Sequence, residues 1–225
     1  MAVAAQEAAF LERSSIVTSG AFMSSILVQL SQNQEVACTL QRYIALDGMD
    51  ESNTGERPDS DVFRNLDQIM LETERLNSPG QALLSIRETG KDFTFDTKSS
   101  TRSDGRGPVL IPKGSLVIVS KNIASKNPDI YSSPLSFIPE RWESPTSAMV
   151  EQRNLSMFSA GSRSCPGRQL TLYAMGSLIP KILSKVTTVE MKSSGKFIYN
   201  GLFFRHAESR LVLKTTSEKD RKNVH

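Results

Sequence analysis

The chain has little of what several functional classes require. It carries two cysteines, Cys38 and Cys165, in 225 residues. One pair makes no disulfide framework, and a reducing compartment is expected. The two histidines, His206 and His225, are too few and too late in the chain for a multi-histidine metal site. A net charge of +3 is too small to argue for nucleic acid as a partner. No apolar run approaches the roughly 20 residues that span a bilayer, so no membrane-spanning segment is expected. No signal peptide is read ahead of the first helix, and a cytoplasmic location is expected. Internal repeats are absent. What is there is 38% hydrophobic and 23% charged residues, the make-up of a globular protein with a real core.

The pattern along the chain is mainly helical. Residues 1–32 read as one long helix, with Phe22, Ile26 and Leu30 recurring every four residues. Asn33 is placed to cap a second helix carrying Val36, Leu40 and Ile44 on one face. A polar loop fills 47–60. A third helix runs from Val62 to about Leu76 and stops at Asn77-Ser-Pro79-Gly80. Strand-like material covers Leu83 to Phe95, and a Ser/Arg/Gly loop covers Lys98 to Gly107. Val109 to Val119 reads as a hairpin turning at Pro112-Lys-Gly114. A helical turn at Asn127–Tyr131 and an extended run from Pro134 to Pro145 follow. Gly167 to about Lys185 reads as a helix that Pro180 should kink or end early. Short strands are expected at Lys196–Asn200 and Arg210–Lys214. One domain is therefore expected over 1–214, mainly α with small β-sheets, followed by a polar tail at 215–225.

The richest stretch is Phe158-Ser-Ala-Gly161-Ser-Arg163-Ser-Cys165-Pro166-Gly167. Gly161 permits a backbone conformation closed to other residues. Pro166 suits a first helical position, where its missing N–H costs nothing. Cys165 would then stand at a helix N-terminus, where free amides and the helix dipole favour a thiolate. A fixed thiolate ringed by donors suits a soft metal, above all haem iron. Arg163 would meet an anionic group beside that metal, such as a haem propionate.

This stretch resembles the cysteine loop of the cytochrome P-450 family, the haem-thiolate monooxygenases, with every fixed position of Phe-x-x-Gly-x-Arg-x-Cys-x-Gly present. Two further motifs follow the family order. Glu72 and Arg75 share a helix face and match its Glu-x-x-Arg helix. Pro139-Glu140-Arg141-Trp142 resembles its Pro-Glu-Arg-aromatic segment. The resemblance implies haem b bound through Cys165, with Arg163 and Arg87 on its propionates and Phe158 packed beside the sulfur. It also implies a buried network of Glu72, Arg75 and Arg141 that holds the cysteine loop. The implied reaction inserts one oxygen atom into a small apolar organic substrate, of the kind met in secondary metabolism. Electrons would come from an NADPH-dependent reductase.

The match weakens in the first helix. Thr18 falls at the family's oxygen-side threonine, but Val17 replaces the neighbouring acid and Ser14-Ser15 the Ala-Gly pair. Valine relays no proton. Thr18 therefore has two readings, a catalytic hydroxyl or a helix residue bonded to its own previous turn. The resemblance covers about residues 8–214 but only the C-terminal half of the family's fold. Three functions follow. One is a haem-thiolate monooxygenase. Another is a family-derived protein with non-redox cyclisation or isomerisation activity. The third is a non-catalytic fragment that needs a separate N-terminal half or a second copy, with association to the endoplasmic reticulum only through a partner. The Leu202-Phe203-Phe204 segment is read either as pocket lining or as a buried turn.

Overall fold

The computed structural model describes residues 2–47, 60–77, 85–95, 108–155, 158–159, 164–192, 196–199, 204–207 and 211–215. Helix α1 (Ala2–Gln32) is the long first helix expected. Its four-residue repeat puts Phe22, Ile26 and Leu30 on one face, all buried. Asn33 ends α1 as much as it opens α2 (Gln34–Asp47). Its carbonyl accepts the Ala37 N–H at 3.1 Å, as an N-cap carbonyl does. Its side-chain amide, however, donates backwards to the Gln29 carbonyl at 2.8 Å. Helix α3 (Asp61–Asn77) buries Val62, Leu66, Ile69 and Met70. With α6 (Arg168–Leu183) and strand β5 (Val186–Met191), these three helices enclose the main core, which includes Leu40, Ile44, Met175, Ile179 and Val189. Burying one such side chain contributes about 1.5–3 kcal/mol. Gln34 and Gln41 tie α2 to β5, donating to the Val189 and Val186 carbonyls at 3.0 and 2.8 Å.

The expected turn at Pro112-Lys-Gly114 is not where the hairpin reverses. Strand β1 (Ser85–Glu88) pairs antiparallel with β4 (Leu116–Val119), and β2 (Phe93–Phe95) with β3 (Val109–Ile111). Both ladders keep one register, so 85–95 and 109–119 are the two arms of a single antiparallel hairpin. Pro112–Ser115 is an offset inside one arm. Gly114 takes the left-handed conformation it alone allows cheaply (φ 82°). The offset is bonded to Thr89 on the other arm, through Gly114 N–H to Thr89 O at 2.8 Å and Thr89 N–H to Ser115 O at 3.0 Å. Large apolar side chains, among them Ile86, Phe93, Leu110 and Ile118, are exposed on this hairpin.

After β4 comes the short α4 (Lys121–Ala124), capped by Ser120, and then the expected turn at Asn127–Tyr131. The run from Pro134 is not extended throughout. Pro139–Trp142 forms a 3₁₀ turn with proline at its start. Helix α5 (Ser147–Leu155) follows, unexpected from the sequence. Thr146 caps it, accepting the Met149 N–H on its hydroxyl at 3.3 Å. Pro180 does not end α6, which runs on to Leu183. Lying in the last turn, Pro180 removes a single ladder bond there, and its carbonyl still accepts the Ser184 N–H at 2.8 Å. Strand β5 pairs with β8 (Leu211–Thr215), and β6 (Lys196–Tyr199) with β7 (Phe204–Ala207). The fold is mainly α with small antiparallel sheets, as expected.

Candidate functional site

Glu72 is the hub of a buried charged cluster. Its spacing of three from Arg75 on α3 aligns the two side chains. Oε1 of Glu72 accepts from Arg75 Nη2 at 2.8 Å, Arg141 Nε at 3.0 Å and the Ile138 N–H at 3.0 Å. Oε2 accepts from Arg75 Nε at 3.0 Å and the Trp142 indole at 2.9 Å. The side chains of Glu72, Arg75 and Arg141 are 0, 2 and 7% exposed. One arginine fork, a single bond from a second arginine, a backbone amide and an indole thus fill the acceptor sites of one carboxylate. Arg75 also donates to the carbonyls of Ser125 (3.1 Å), Ser136 (3.0 Å) and Pro134. Arg141 takes the Ser132 carbonyl at 3.0 Å. The chain from Ser125 to Trp142 is in this way wrapped around α3.

Tyr131 closes the cluster from one side. Its ring lies 4.9 Å from the Arg75 guanidinium, 6.0 Å from that of Arg141 and 6.2 Å from the Trp142 ring. Burial pushes its hydroxyl up to about 12, with Glu74 and Glu72 adding to the rise and the two arginines opposing it. Sequence reasoning missed Tyr131, and nothing in its local pattern marked it. Trp142 was marked only as the aromatic of the Pro-Glu-Arg-Trp run.

The cysteine lies beyond this cluster, at the head of α6. Phe158 O accepts the Cys165 N–H at 2.7 Å, which closes the intervening loop. The helix starts later than expected. Gly167 is the N-cap, Arg168 the first helical residue, and Pro166 lies in the preceding turn. Cys165 therefore precedes the helix by a turn-forming pair, and its carbonyl accepts the Arg168 N–H at 3.3 Å. The thiol is exposed but stays beside the helix start. A methyl group on Gly167 would stand 3.7 Å from the sulfur. Phe158 is half-buried beneath the Arg168 guanidinium, 5.8 Å away, and lines a small recess with Leu71, Glu74 and Leu172. Gly161 and Arg163 lie outside the described residues, as do Leu202 and Phe203. Phe204 opens β7.

Helix α1 passes the same end of α6, where the hydroxyls of Ser19 and Thr171 are 3.5 Å apart. Thr18 is half-buried next to that contact, and Val17 is exposed. Leu170 and Tyr173 on α6 and Ile16 on α1 are also exposed. Arg87 sits exposed on β1 and bonds the neighbouring Ile86 carbonyl at 3.0 Å. The structure thus gathers Glu72, Arg75 and Arg141 into one cluster, and Phe158, Cys165 and Gly167 into another.

A family model described as cytochrome P450 matches residues 14–212. The chain belongs to the cytochrome P450 family. Cytochrome P450 84A4 of Arabidopsis thaliana is 37% identical to it over 117 residues, 51% of this chain and 20% of that protein. Cytochrome P450 4g1 of Drosophila melanogaster is 30% identical over 125 residues, 56% of this chain and 20% of that protein. Cytochrome P450 4d8 of the same organism is 26% identical over 184 residues, 81% of this chain and 38% of that protein. The matches to these relatives span between 20 and 38% of the relatives' own lengths.

The family implies a haem-iron cofactor, and the residues of this P450 chain fit one. Among the described residues no group of three or more His, Cys, Asp or Glu is placed to hold a metal ion by side chains alone. A lone exposed thiol suits a metal that brings its other ligands with it, as haem does. Next to that thiol, Gly167 keeps the space a larger residue would fill. Exposed apolar side chains on α1 and α6, within a turn of the Ser19–Thr171 contact, suit an apolar macrocycle. Among the described residues no helix is long and apolar enough to cross a membrane.

Proposed function

We propose that this chain is a haem-thiolate protein of the monooxygenase kind, in which the Cys165 sulfur would hold haem b. The observation that carries this reading is the exposed sulfur at the head of α6, on a residue whose N–H is fixed to Phe158 O at 2.7 Å. Cys165 would bind as the thiolate. Arg163 and Arg87 would hold the propionates. The Arg87 guanidinium has further N–H donors beyond its bond to Ile86 O for such a carboxylate. Gly161 and Gly167 would let the loop backbone approach the ring. The Glu72, Arg75 and Arg141 cluster would fix the chain that supports the loop. Bound haem would supply activation of molecular oxygen, one atom entering a small apolar organic substrate and the other leaving as water, with two electrons from an NADPH-dependent reductase and two protons from solvent.

Thr18 would hold a proton on Oγ1 at the substrate side of α1. Its neighbour Val17, in the place of the family's acid, relays none. Loss of a general acid lowers a rate about 10²–10⁴-fold. Slow turnover is therefore expected.

The test is spectroscopic. Haem-loaded, reduced chain under carbon monoxide should show the red-shifted Soret band of a thiolate ligand, and Cys165→Ser should abolish it without altering the far-UV circular dichroism. A serine variant that keeps the band overturns the assignment. The exposed apolar hairpin side chains favour one addition to this reading, a partner polypeptide that covers them, either a separate N-terminal half of the fold or a second copy. Light scattering of the purified chain tests the second copy, and co-purification tests the separate half.

A further inference from the structure

Beside the cysteine loop lies a buried cation that the reading above gives no task. Lys121, the first residue of α4, is 7% exposed, and its Nζ donates to Ser159 Oγ at 2.7 Å. Burial lowers its pKa, Glu74 raises it and Arg87 lowers it. A buried ammonium is unfavourable unless it is paired and bonded. Here it has Glu74 as counter-charge and a single hydroxyl as target.

That hydroxyl belongs to a residue under strain. Ser159 has φ 55°, in the left-handed region that residues with a Cβ seldom occupy. Such a conformation persists where the surroundings over-determine it. The carbonyl just before it, on Phe158, is the one that accepts the Cys165 N–H at 2.7 Å. The Glu72 cluster bonds the chain between Ser125 and Trp142. The bond from Lys121 reaches 158–165 from α4.

We propose that Lys121 is a positioning residue for Cys165, a latch that holds Ser159 in its left-handed turn and so fixes the Phe158 carbonyl to which the cysteine backbone is tied. Its functional meaning rests on the haem-thiolate reading, but the latch itself does not. Glu74, on α3, supplies the opposing charge.

Two measurements test it, on the chain without haem and on the chain loaded with haem. In the first, the hydrogen exchange of the Cys165 amide is followed. Lys121→Met and Ser159→Ala should each speed it roughly tenfold, the factor expected for one lost charge-assisted bond. The amides of Ile26 and Leu30 in the core should not change. The double variant should exceed neither single, and Lys121→Arg, which still donates to a hydroxyl, should restore slow exchange. In the second, both single variants should shift the carbon monoxide spectrum from the thiolate band towards the band of haem that has lost its thiolate. An unchanged Cys165 amide in Lys121→Met overturns the proposal. So does acceleration spread equally over α1, which would mark a merely structural lysine. If Lys121→Met does not fold, Ser159→Ala carries the same decision. If the parent chain shows no thiolate band, the haem reading fails while the exchange experiment still decides the latch.

Discussion

Replacing Arg75 with alanine removes more than one ion pair. Glu72 loses two of its five donors, and the carbonyls of Ser125, Pro134 and Ser136 lose theirs. Arg141 remains and still answers the Glu72 charge, so the loss falls short of a fully orphaned carboxylate. Removing one partner of a buried pair costs about 3–5 kcal/mol. An ordinary domain has only about 5–15 kcal/mol in all. For a chain of 225 residues, each kcal/mol moves the midpoint by about 2–4 °C, which gives a drop of about 6–20 °C. Arg75→Lys should recover little of this. One ammonium keeps the charge but cannot span two carboxylate oxygens and three carbonyls. Thermal melts by circular dichroism, with urea midpoints at unchanged m-value as a check, give the number. A fall smaller than about 2 °C for Arg75→Ala would refute the reasoning, since it would mean that water replaces all five bonds at little expense.

Tyr131 should make the fold sensitive to alkali. Its hydroxyl titrates at about 12 in the folded chain against 10.0 unfolded. Between those values the unfolded state holds fewer protons, so stability falls as pH rises. Tyr131→Phe should flatten that fall between about pH 10 and pH 12, and an unchanged slope in urea midpoints would show that the phenol is not the cause. Cys38 is exposed on α2. Cys38→Ala should change stability by no more than about 0.5 kcal/mol and leave the carbon monoxide spectrum untouched.

Much of this architecture was legible because its signals are local. The four-residue repeat of Phe22, Ile26 and Leu30 decides α1 without reference to anything else in the chain. Glu72 and Arg75 declare a shared face by spacing alone. The bounds that went wrong are those set by distant partners. Pro112-Lys-Gly114 has the composition of a hairpin turn, yet Thr89 on the other arm absorbs it as an offset. Helix α5 was overlooked behind Pro145, although Thr146 ahead of Ser147-Ala-Met149 is a cap signal. The start of α6 moved because Pro166 takes a turn before Gly167 rather than the first helical position. The bond from Lys121 to Ser159 joins residues 38 apart in sequence, and no periodicity announces it.

The Glu72 cluster also permits a prediction against a general rule. Buried ion clusters can often be exchanged for apolar side chains of similar volume, with stability unchanged or raised by about 1–4 kcal/mol. That exchange works when the charged groups bond mainly to each other. Here they also satisfy the main chain and an indole. Glu72 holds the Ile138 N–H and Trp142 Nε1, Arg75 holds three carbonyls, and Arg141 holds the Ser132 carbonyl. Water reaches some of these once the charges are gone, because Ser132 and Ser136 are exposed. Ser125 and the Trp142 indole are buried. Each buried group left without a partner costs about 1–3 kcal/mol, enough to cancel the expected gain. A Glu72→Leu, Arg75→Met, Arg141→Met triple variant should therefore melt no higher than the parent chain. Trp142 is the sole tryptophan and reports on the cluster directly. Its emission should shift to the red as the Pro139–Trp142 turn loosens from α3. A triple variant that melts above the parent with Trp142 emission unchanged would mean that the cluster is a replaceable ion group and not the fastening of that turn.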